Sequence, residues 1–203
     1  MEASFARKLG KDLEREVVFV EVPWSRQIDY IKENKTDIIM SGMTVTMARD
    51  YLINFTKPYM VAGLTALFRR SDYARNGLGP SIIRHQNTKV GALKNTTGEI
   101  YAVNNYSNAE IIIYDNTKEA VKALKSGRIN MFIHDAPSIW WVAAENEVDL
   151  VAFYELMNNE AMAWGISKNN TELLDQVNES LEKMKMDGSG EKILKNWFPG
   201  RHP

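Results

Sequence analysis

Apolar and polar positions alternate along the chain with two different periods. Apolar residues recurring every three or four positions predict amphipathic helices, and short runs rich in β-branched residues predict strands. The predicted helices cover residues 2–11, 24–34, 97–105, 117–124 and 172–185, with others after Thr46, Asp135 and Gly190. The predicted strands cover residues 17–22, 37–40, 61–68, 89–93, 110–114, 129–133, 150–154 and 161–166. Residues 69–86 are polar and predict a surface excursion. The alternation predicts two α/β units with parallel or mixed sheets, the second beginning near residue 88.

The stretch from Ser41 to Arg49 combines features that favour an anion at the end of a predicted strand. The strand over residues 37–40 breaks at Ser41, and Thr46 is placed to cap the following helix. Arg49 supplies a bidentate guanidinium, and the N-terminus of a helix favours negative charge. The same stretch is equally compatible with an ordinary strand-to-helix turn that carries a surface arginine.

Polar residues also follow other predicted strands, where ligands bind in open α/β sheets. In the first unit these residues are Ser41, Thr44 and Arg49, and in the second they are Lys94, Thr97, Gly98, His134 and Asp135. Together they offer a guanidinium that can bind a carboxylate through two hydrogen bonds, an acceptor for an ammonium group and further polar groups. A zwitterionic amino acid needs at least that set.

Composition narrows the classes of function. The chain has 203 residues, of which 44% are hydrophobic and 25% charged, which suits one large domain or two lobes. The net charge of −1 gives no basic surplus for nucleic acid or an acidic membrane surface. The chain contains no cysteine, which excludes disulfides and thiolate catalysis, and its three histidines lack metal-ligand spacing. No metal or other cofactor is therefore expected.

Several short motifs follow one another in a characteristic order. After Ser41–Arg49 and Pro58-Tyr59 come Lys89–Ala92, Thr96-Thr97-Gly98, Ser126–Asn130, His134–Pro137, Met186–Gly188 and Trp197-Phe198. The set resembles the bacterial periplasmic amino-acid-binding proteins of ABC transporters, which are type II solute-binding proteins of family 3. Each motif alone is weak, but the ordered set spans essentially the whole chain.

The resemblance implies an α/β fold of the periplasmic-binding-protein type II, with two lobes joined by two crossover hinge strands. Lobe 1 is expected to comprise residues 1–59 and 165–203, and lobe 2 residues 64–159. The hinge is expected near residues 59–63 and 160–164. A ligand would be captured in the cleft between the lobes.

The resemblance also implies roles for individual residues. Arg49 would bind the α-carboxylate, with the Thr44 hydroxyl and the Gly98 backbone, and Asp135 would accept the α-ammonium group. The further expected ligand-binding residues are Ser41, Trp24 as an aromatic wall, Thr97, and Lys94 and His134, where glutamine-binding proteins have polar pocket residues. Simpler alternatives remain open: helix capping for Asp135, core packing for Trp24, solvation for Lys94 and a half-buried structural histidine for His134.

The function implied is non-enzymatic capture of a polar amino acid for an ABC permease, in a periplasm or at a lipid-anchored extracellular position. No nucleic-acid partner is expected. One alternative is an enzyme on the same scaffold, similar to cyclohexadienyl or arogenate dehydratase. Such an enzyme needs a general acid, for which His134 or Lys94 would be candidates. A ligand-sensing module is a further alternative.

The start of the chain departs from the family pattern. Met1–Phe5 aligns within the turn that enters the first helix, so lobe 1 is expected to lack its N-terminal strand. Two strand edges and part of the apolar core would then be exposed. Truncation, a misassigned start codon and a strand supplied by a partner chain are the open explanations. A dimer or strand exchange is expected as a means of covering the exposed edges.

Overall fold

A computed structural model describes residues 1–76 and 88–198 of the chain. The chain divides into two compact units, of which unit 1 comprises Met1–Val61 and Ala161–Pro203 and unit 2 comprises Ala62–Glu160. Within the described ranges, no helix combines the length and apolar character needed to cross a membrane.

The helices and strands follow each other along the chain in a nearly regular order. The helices are α1 (Glu2–Asp12), α2 (Gln27–Lys32), α3 (Met47–Leu52), α4 (Arg70–Asn76), α5 (Thr97–Asn105), α6 (Thr117–Lys125), α7 (Ala136–Glu145), α8 (Thr171–Met186) and α9 (Ser189–Trp197). The strands are β1 (Ile38–Ile39), β2 (Asn54–Phe55), β3 (Met60–Ala62), β4 (Leu64–Arg69), β5 (Lys89–Leu93), β6 (Glu110–Tyr114), β7 (Met131–Asp135), β8 (Leu150–Ala152), β9 (Glu160–Met162) and β10 (Gly165–Ile166). A short 3₁₀ helix, Trp24–Arg26, leads into α2.

Unit 1 is built on a small antiparallel sheet with the strand order β1-β10-β2. Helices α1 and α8 carry apolar residues at helical spacing, which turns one stripe of each helix towards the core. The cluster that results is Phe5, Leu9, Trp164, Ile166, Leu173, Val177, Leu181 and Met184. Three aromatic rings stabilise its centre: the ring centroids of Phe5 and Trp164 lie 5.6 Å apart, and Tyr59 stacks on Trp164 at 5.3 Å.

A half-buried carboxylate, Glu2, joins α1 to the rest of unit 1. Its Oε1 accepts hydrogen bonds from the Gly42 backbone N–H at 2.7 Å and the Tyr59 hydroxyl at 2.6 Å. Its Oε2 accepts a hydrogen bond from Trp164 Nε1 at 3.2 Å. Burial raises the pKa of the Glu2 carboxyl, although these three hydrogen bonds act in the opposite direction.

Unit 2 contains a five-stranded mixed sheet with the strand order β6-β5-β7-β4-β8. Strand β5 runs parallel to β6 and β7, whereas β4 is antiparallel to β7 and β8. Successive side chains of β4 enter two different cores: Phe68 packs with one apolar cluster and Leu67 with another. Because both faces of this sheet are covered, its central strands read as continuous apolar runs.

The predicted helices are confirmed with small shifts of their ends, but one predicted strand is wrong. Residues 17–22 form no strand, and Val18, Phe19 and Val20 are 75%, 57% and 51% exposed. Among the described residues, none makes a backbone hydrogen bond with this segment. A β-branched sequence needs a neighbouring strand to become part of a sheet, and within the described ranges β1 pairs with β10 alone.

Two predicted strands are divided in the structure. The run 61–68 becomes β3 and β4, separated by Gly63, where an added Cβ would lie 2.0 Å from the backbone oxygen of Asn158. The run 161–166 becomes β9 and β10. Of the predicted surface excursion, residues 70–76 form α4, and residues 77–87 lie outside the described part of the chain.

Candidate functional site

In unit 1, the turn after β1 leads into α3 as the sequence predicts. Thr46 has extended backbone geometry, and its hydroxyl accepts a hydrogen bond from the Arg49 backbone N–H at 3.2 Å. The prediction that Thr46 caps this helix is therefore confirmed. The cap fixes the first turn of α3, from which the Arg49 side chain projects.

Contacts within unit 1 orient the guanidinium of Arg49. Its Nη1 donates to the backbone oxygen of Thr44 at 2.9 Å, and its Cζ lies 5.2 Å from the ring centroid of Trp24. The second contact is a cation–π interaction, which favours a cation over an indole face. Trp24 also packs against the apolar cluster that includes Ile31 and Met43, so it belongs partly to the core.

The other two predicted residues of unit 1 differ in their surroundings. Thr44 is buried and forms an isolated β-bridge with Met162, which fixes the backbone that receives the Arg49 hydrogen bond. Ser41 is exposed, and its hydroxyl donates to Gln27 Oε1 at 2.7 Å. The structure therefore brings Arg49, Thr44 and Trp24 together, and it directs the Ser41 hydroxyl to a different side chain.

In unit 2, the beginning of α5 packs closely on the end of β7. The Thr96 hydroxyl caps α5 by accepting from the Glu99 backbone N–H at 3.3 Å. Gly98 lies so close to β7 that an added Cβ would be 3.1 Å from the backbone oxygen of Ile133 and 3.6 Å from His134 Cα. This close approach brings the first turn of α5 next to His134 and Asp135.

His134 and Asp135 are the last two residues of β7, which the pairing of β7 with β4 fixes in place. The distance from His134 Nδ1 to Asp135 Oδ2 is 3.6 Å, which is too long for a hydrogen bond. The buried His134 Nδ1 has no hydrogen-bond partner among the described residues. The Asp135 carboxylate makes no capping hydrogen bond to α7, so the capping alternative does not describe its side chain.

Lys94 lies in the loop between β5 and α5, and Thr97 is the first residue of α5. The Thr97 hydroxyl donates to Glu160 Oε2 at 2.9 Å, whereas Lys94 is exposed. Glu160 is buried, and its Oε1 accepts a hydrogen bond from Asn158 Nδ2 at 2.9 Å. No group of three or more His, Asp and Glu side chains in the described ranges could hold a metal ion.

Comparison with known proteins identifies the family. A sequence model of the bacterial extracellular solute-binding proteins, family 3, matches residues 1–200. The chain belongs to this family. With its mixed α/β architecture it has the fold of the type II periplasmic binding proteins.

Curated relatives cover most of this solute-binding protein. It is 27% identical over 202 residues to the ABC transporter glutamine-binding protein GlnH of Bacillus subtilis (strain 168), which corresponds to 95% of this chain and 70% of that protein. It is 25% identical over 199 residues to the ABC transporter arginine-binding protein 1 of Escherichia coli (strain K12), covering 96% and 79%.

Solved structures resemble it over nearly the whole chain. A binding component of an ABC transporter from Wolinella succinogenes, complexed with lysine, has a TM-score of 0.89 and 27% identity over 97% of this chain and 84% of that one. An ancestral amino acid-binding protein, described as a precursor of cyclohexadienyl dehydratase, has a TM-score of 0.87 and 32% identity with the same two coverages.

One residue of the solute-binding protein was missed as a candidate for the site. Glu160 was predicted only as the start of a hinge segment, yet it is a buried carboxylate in contact with Thr97. The signal was present in the sequence, because a glutamate at the start of an otherwise apolar run has to find donors when it is buried. Which donors it finds depends on Asn158 and Thr97, and their positions follow from the tertiary structure.

Proposed function

We propose that this family 3 solute-binding protein captures a free amino acid outside the cytoplasm and delivers it to an ABC permease in the membrane. It would act in a periplasm or from a lipid anchor on the cell surface. The observation that carries the proposal is the Arg49 guanidinium, which the Thr44 carbonyl and the Trp24 ring already orient. Relatives named for glutamine, arginine and histidine binding support the same class of ligand.

The proposed contacts follow the chemistry of each unit. Unit 1 is assigned the α-carboxylate. The Arg49 guanidinium would bind it through two parallel hydrogen bonds, and the buried Thr44 hydroxyl would donate another. Unit 2 is assigned the α-ammonium group through Asp135, and the Gly98 backbone N–H is a further donor for the carboxylate. The remaining proposed contacts are Ser41, Thr97, Trp24, Lys94 and His134.

We propose a polar side chain for the ligand. The buried His134 Nδ1 lacks a partner among the described residues, so a polar ligand group that reached it would satisfy it. Lys94 adds an exposed ammonium at the same end of the unit 2 sheet. An amide or hydroxyl group fits these partners better than an aliphatic one.

We propose that the two units move relative to each other about hinge segments. Strands β3 and β9 pair in a two-stranded sheet, and the chain passes from one unit to the other within each of them. Residues 59–63 and 160–164 are therefore proposed as the two hinge segments. Rotation at such segments is the common route by which binding proteins close on a ligand.

We propose that the protein has no catalytic activity. The resemblance to a precursor of cyclohexadienyl dehydratase gives an enzymatic alternative a specific reason to be tested. That relative is itself described as an amino acid-binding protein, which favours binding here. Incubation with prephenate and with arogenate is expected to give no turnover, and product formation would overturn this part of the proposal.

The experiment that tests binding is calorimetric titration with a panel of amino acids. The wild type is expected to bind at least one polar amino acid, and Arg49→Ala to abolish binding, because the α-carboxylate loses its paired charge. Arg49→Lys keeps the positive charge but loses the bidentate geometry of the guanidinium, so this variant is expected to bind amino acids weakly. Arg128→Ala removes an exposed arginine of unit 2 and serves as the control. Unchanged affinity in Arg49→Ala would overturn the assignment.

We also propose that the protein associates with itself by strand exchange. The support is an unpaired edge of the unit 1 sheet and the exposed apolar residues near it.

A further inference from the structure

Unit 2 contains a chain of hydrogen bonds that ends at Thr97, the first residue of α5. The Leu64 backbone N–H donates to Asn158 Oδ1 at 2.8 Å, and Asn158 Nδ2 donates to Glu160 Oε1 at 2.9 Å. The Thr97 hydroxyl donates to Glu160 Oε2 at 2.9 Å. The chain of bonds therefore joins the beginning of β4 to the beginning of α5 through the side chains of Asn158 and Glu160.

The direction of each of these hydrogen bonds is fixed from the backbone end. A backbone N–H can only donate, so the Leu64 N–H requires the oxygen of the Asn158 side chain to face it. The Asn158 nitrogen then faces Glu160, whose ionised carboxylate can only accept. Glu160 therefore requires the Thr97 hydroxyl to donate its single hydrogen, and the lone pairs of Thr97 Oγ1 point elsewhere.

Burial and close packing hold this arrangement in place. Glu160 is only 9% exposed, and a buried carboxylate keeps its donors because the loss of one leaves a charged group poorly solvated. The backbone of Asn158 lies against Gly63, where an added Cβ would be 2.0 Å from the Asn158 backbone oxygen. Asn158 is therefore restrained both at its backbone and at its side-chain amide.

Both ends of the chain of bonds lie beside the end of β7, which carries proposed ligand contacts. Leu64 is paired with Asp135 in the ladder between β4 and β7. Thr97 precedes Gly98, which packs against β7 next to His134. Thr97 is half-buried, so part of this residue remains accessible to a ligand.

We propose that Glu160 is a positioning residue that makes Thr97 a hydrogen-bond acceptor for an N–H group of the bound amino acid. The hydroxyl hydrogen is donated to Glu160, so Thr97 Oγ1 offers lone pairs, which attract an N–H group and repel a carboxylate oxygen. The Glu160 carboxylate also polarises the hydroxyl, which strengthens its oxygen as an acceptor. This inference rests on the proposed function and assigns to Thr97 the kind of ligand group that it contacts.

A double-mutant cycle, measured by calorimetric titration with L-glutamine and L-arginine, tests this role. Thr97→Val removes the acceptor, so the affinity is expected to fall by about tenfold. Glu160→Gln can keep both hydrogen bonds, with its oxygen towards Asn158 and its nitrogen towards Thr97, but it reverses the direction of the Thr97 hydroxyl. The affinity of this variant is expected to fall by about fivefold. Added to Thr97→Val, Glu160→Gln is expected to change the affinity by less than about twofold, because the group through which it acts is gone.

Three controls distinguish this role from a structural one. Glu155→Gln removes a carboxylate at an exposed position of unit 2 and is expected to leave the affinity unchanged. Thr97→Ser keeps the hydroxyl and is expected to bind like the wild type. Glu160→Gln is expected to melt close to the wild-type temperature, since it can keep both hydrogen bonds of the chain.

A third ligand identifies which N–H group Thr97 contacts. L-Glutamate has an α-ammonium group but no N–H group in its side chain. A loss of affinity in Thr97→Val that L-glutamate shares with L-glutamine assigns Thr97 to the α-ammonium group. A loss that is confined to L-glutamine assigns it to the side-chain amide.

The outcomes separate this inference from the proposed function. A wild type that binds no amino acid of the calorimetric panel overturns the proposed function, and this inference with it. If the wild type binds but Glu160→Gln has the same effect with and without Thr97→Val, the inference alone is overturned. A Glu160→Gln variant that fails to fold also overturns it, because the amide would then not replace the carboxylate in the chain of bonds. So does a higher affinity in Thr97→Val, since the hydroxyl oxygen would then repel the ligand.

Discussion

Replacement of Glu2 by alanine is expected to destabilise unit 1 strongly, although the residue is the second of the chain. The Glu2 carboxylate accepts hydrogen bonds from the Gly42 N–H, the Tyr59 hydroxyl and Trp164 Nε1. Alanine removes the acceptor of one donor on a fully buried residue, Trp164, and of two donors on half-buried residues, Tyr59 and Gly42. Because Tyr59 and Trp164 stack on each other, they cannot turn towards water without disturbing the aromatic cluster.

The size of the effect follows from those three donors. A buried donor without a partner costs about 1–3 kcal/mol, and the costs of neighbouring groups are not additive. We expect the free energy of unfolding to fall by about 3 kcal/mol in total. For a chain of this size, a change of 1 kcal/mol corresponds to about 2–4 °C in the melting temperature, so the decrease should be about 6–12 °C.

Urea denaturation followed by tryptophan fluorescence measures this change, since Trp164 belongs to the cluster that is disturbed. Glu179→Ala, at an exposed position of α8 in the same unit, is the matched control and is expected to change stability by less than about 0.5 kcal/mol. Glu2→Gln keeps an acceptor oxygen and should lie between the two. A Glu2→Ala protein as stable as the control would refute the reasoning.

Two further predictions concern pH and packing. Burial raises the pKa of the Glu2 carboxyl above its usual value of 4.5, so the folded state holds this proton more tightly than the unfolded state does. Its stabilising contribution is complete below that usual value and is lost as the pH rises through the folded pKa. The stability of Glu2→Gln, followed by urea denaturation across that range, should therefore decline less steeply than that of the wild type; parallel curves would contradict this. Gly98→Ala places a Cβ 3.1 Å from the Ile133 backbone oxygen, which the β7 ladder holds in place. The strain of about 1–3 kcal/mol should exceed the helix-forming gain of about 1 kcal/mol, so a thermal melt should show lower stability, and a raised melting temperature would exclude the clash.

The parts of the fold that the sequence predicts correctly depend on local interactions. Thr46 caps α3 through a hydrogen bond to a residue three positions away, and helix α8 follows from the spacing of its own apolar residues. Strand formation at residues 17–22 failed as a prediction because it depends on a neighbour that no local pattern reveals. The break at Gly63 likewise reflects the distant backbone of Asn158.

In the candidate site, too, features set by local sequence could be predicted, and contacts set by tertiary structure could not. The position of Arg49 after a capped turn could be predicted from the order of residues, and so could the position of Asp135 at the end of β7. The cation–π contact between Arg49 and Trp24 and the hydrogen bond from Thr97 to Glu160 could not. Both contacts join segments that are far apart in the chain, and only the packed core fixes their distance.

The restraint on Arg49 has a consequence for the time course of binding. An arginine side chain has about 2 kcal/mol of rotamer entropy, and the Thr44 carbonyl and Trp24 ring limit that freedom before a ligand arrives. In the proposed site every amino acid would present the same carboxylate to Arg49, so we expect different amino acids to associate at similar rates. Selectivity would then appear as a difference in residence time, set by how well each side chain is held after the carboxylate has docked.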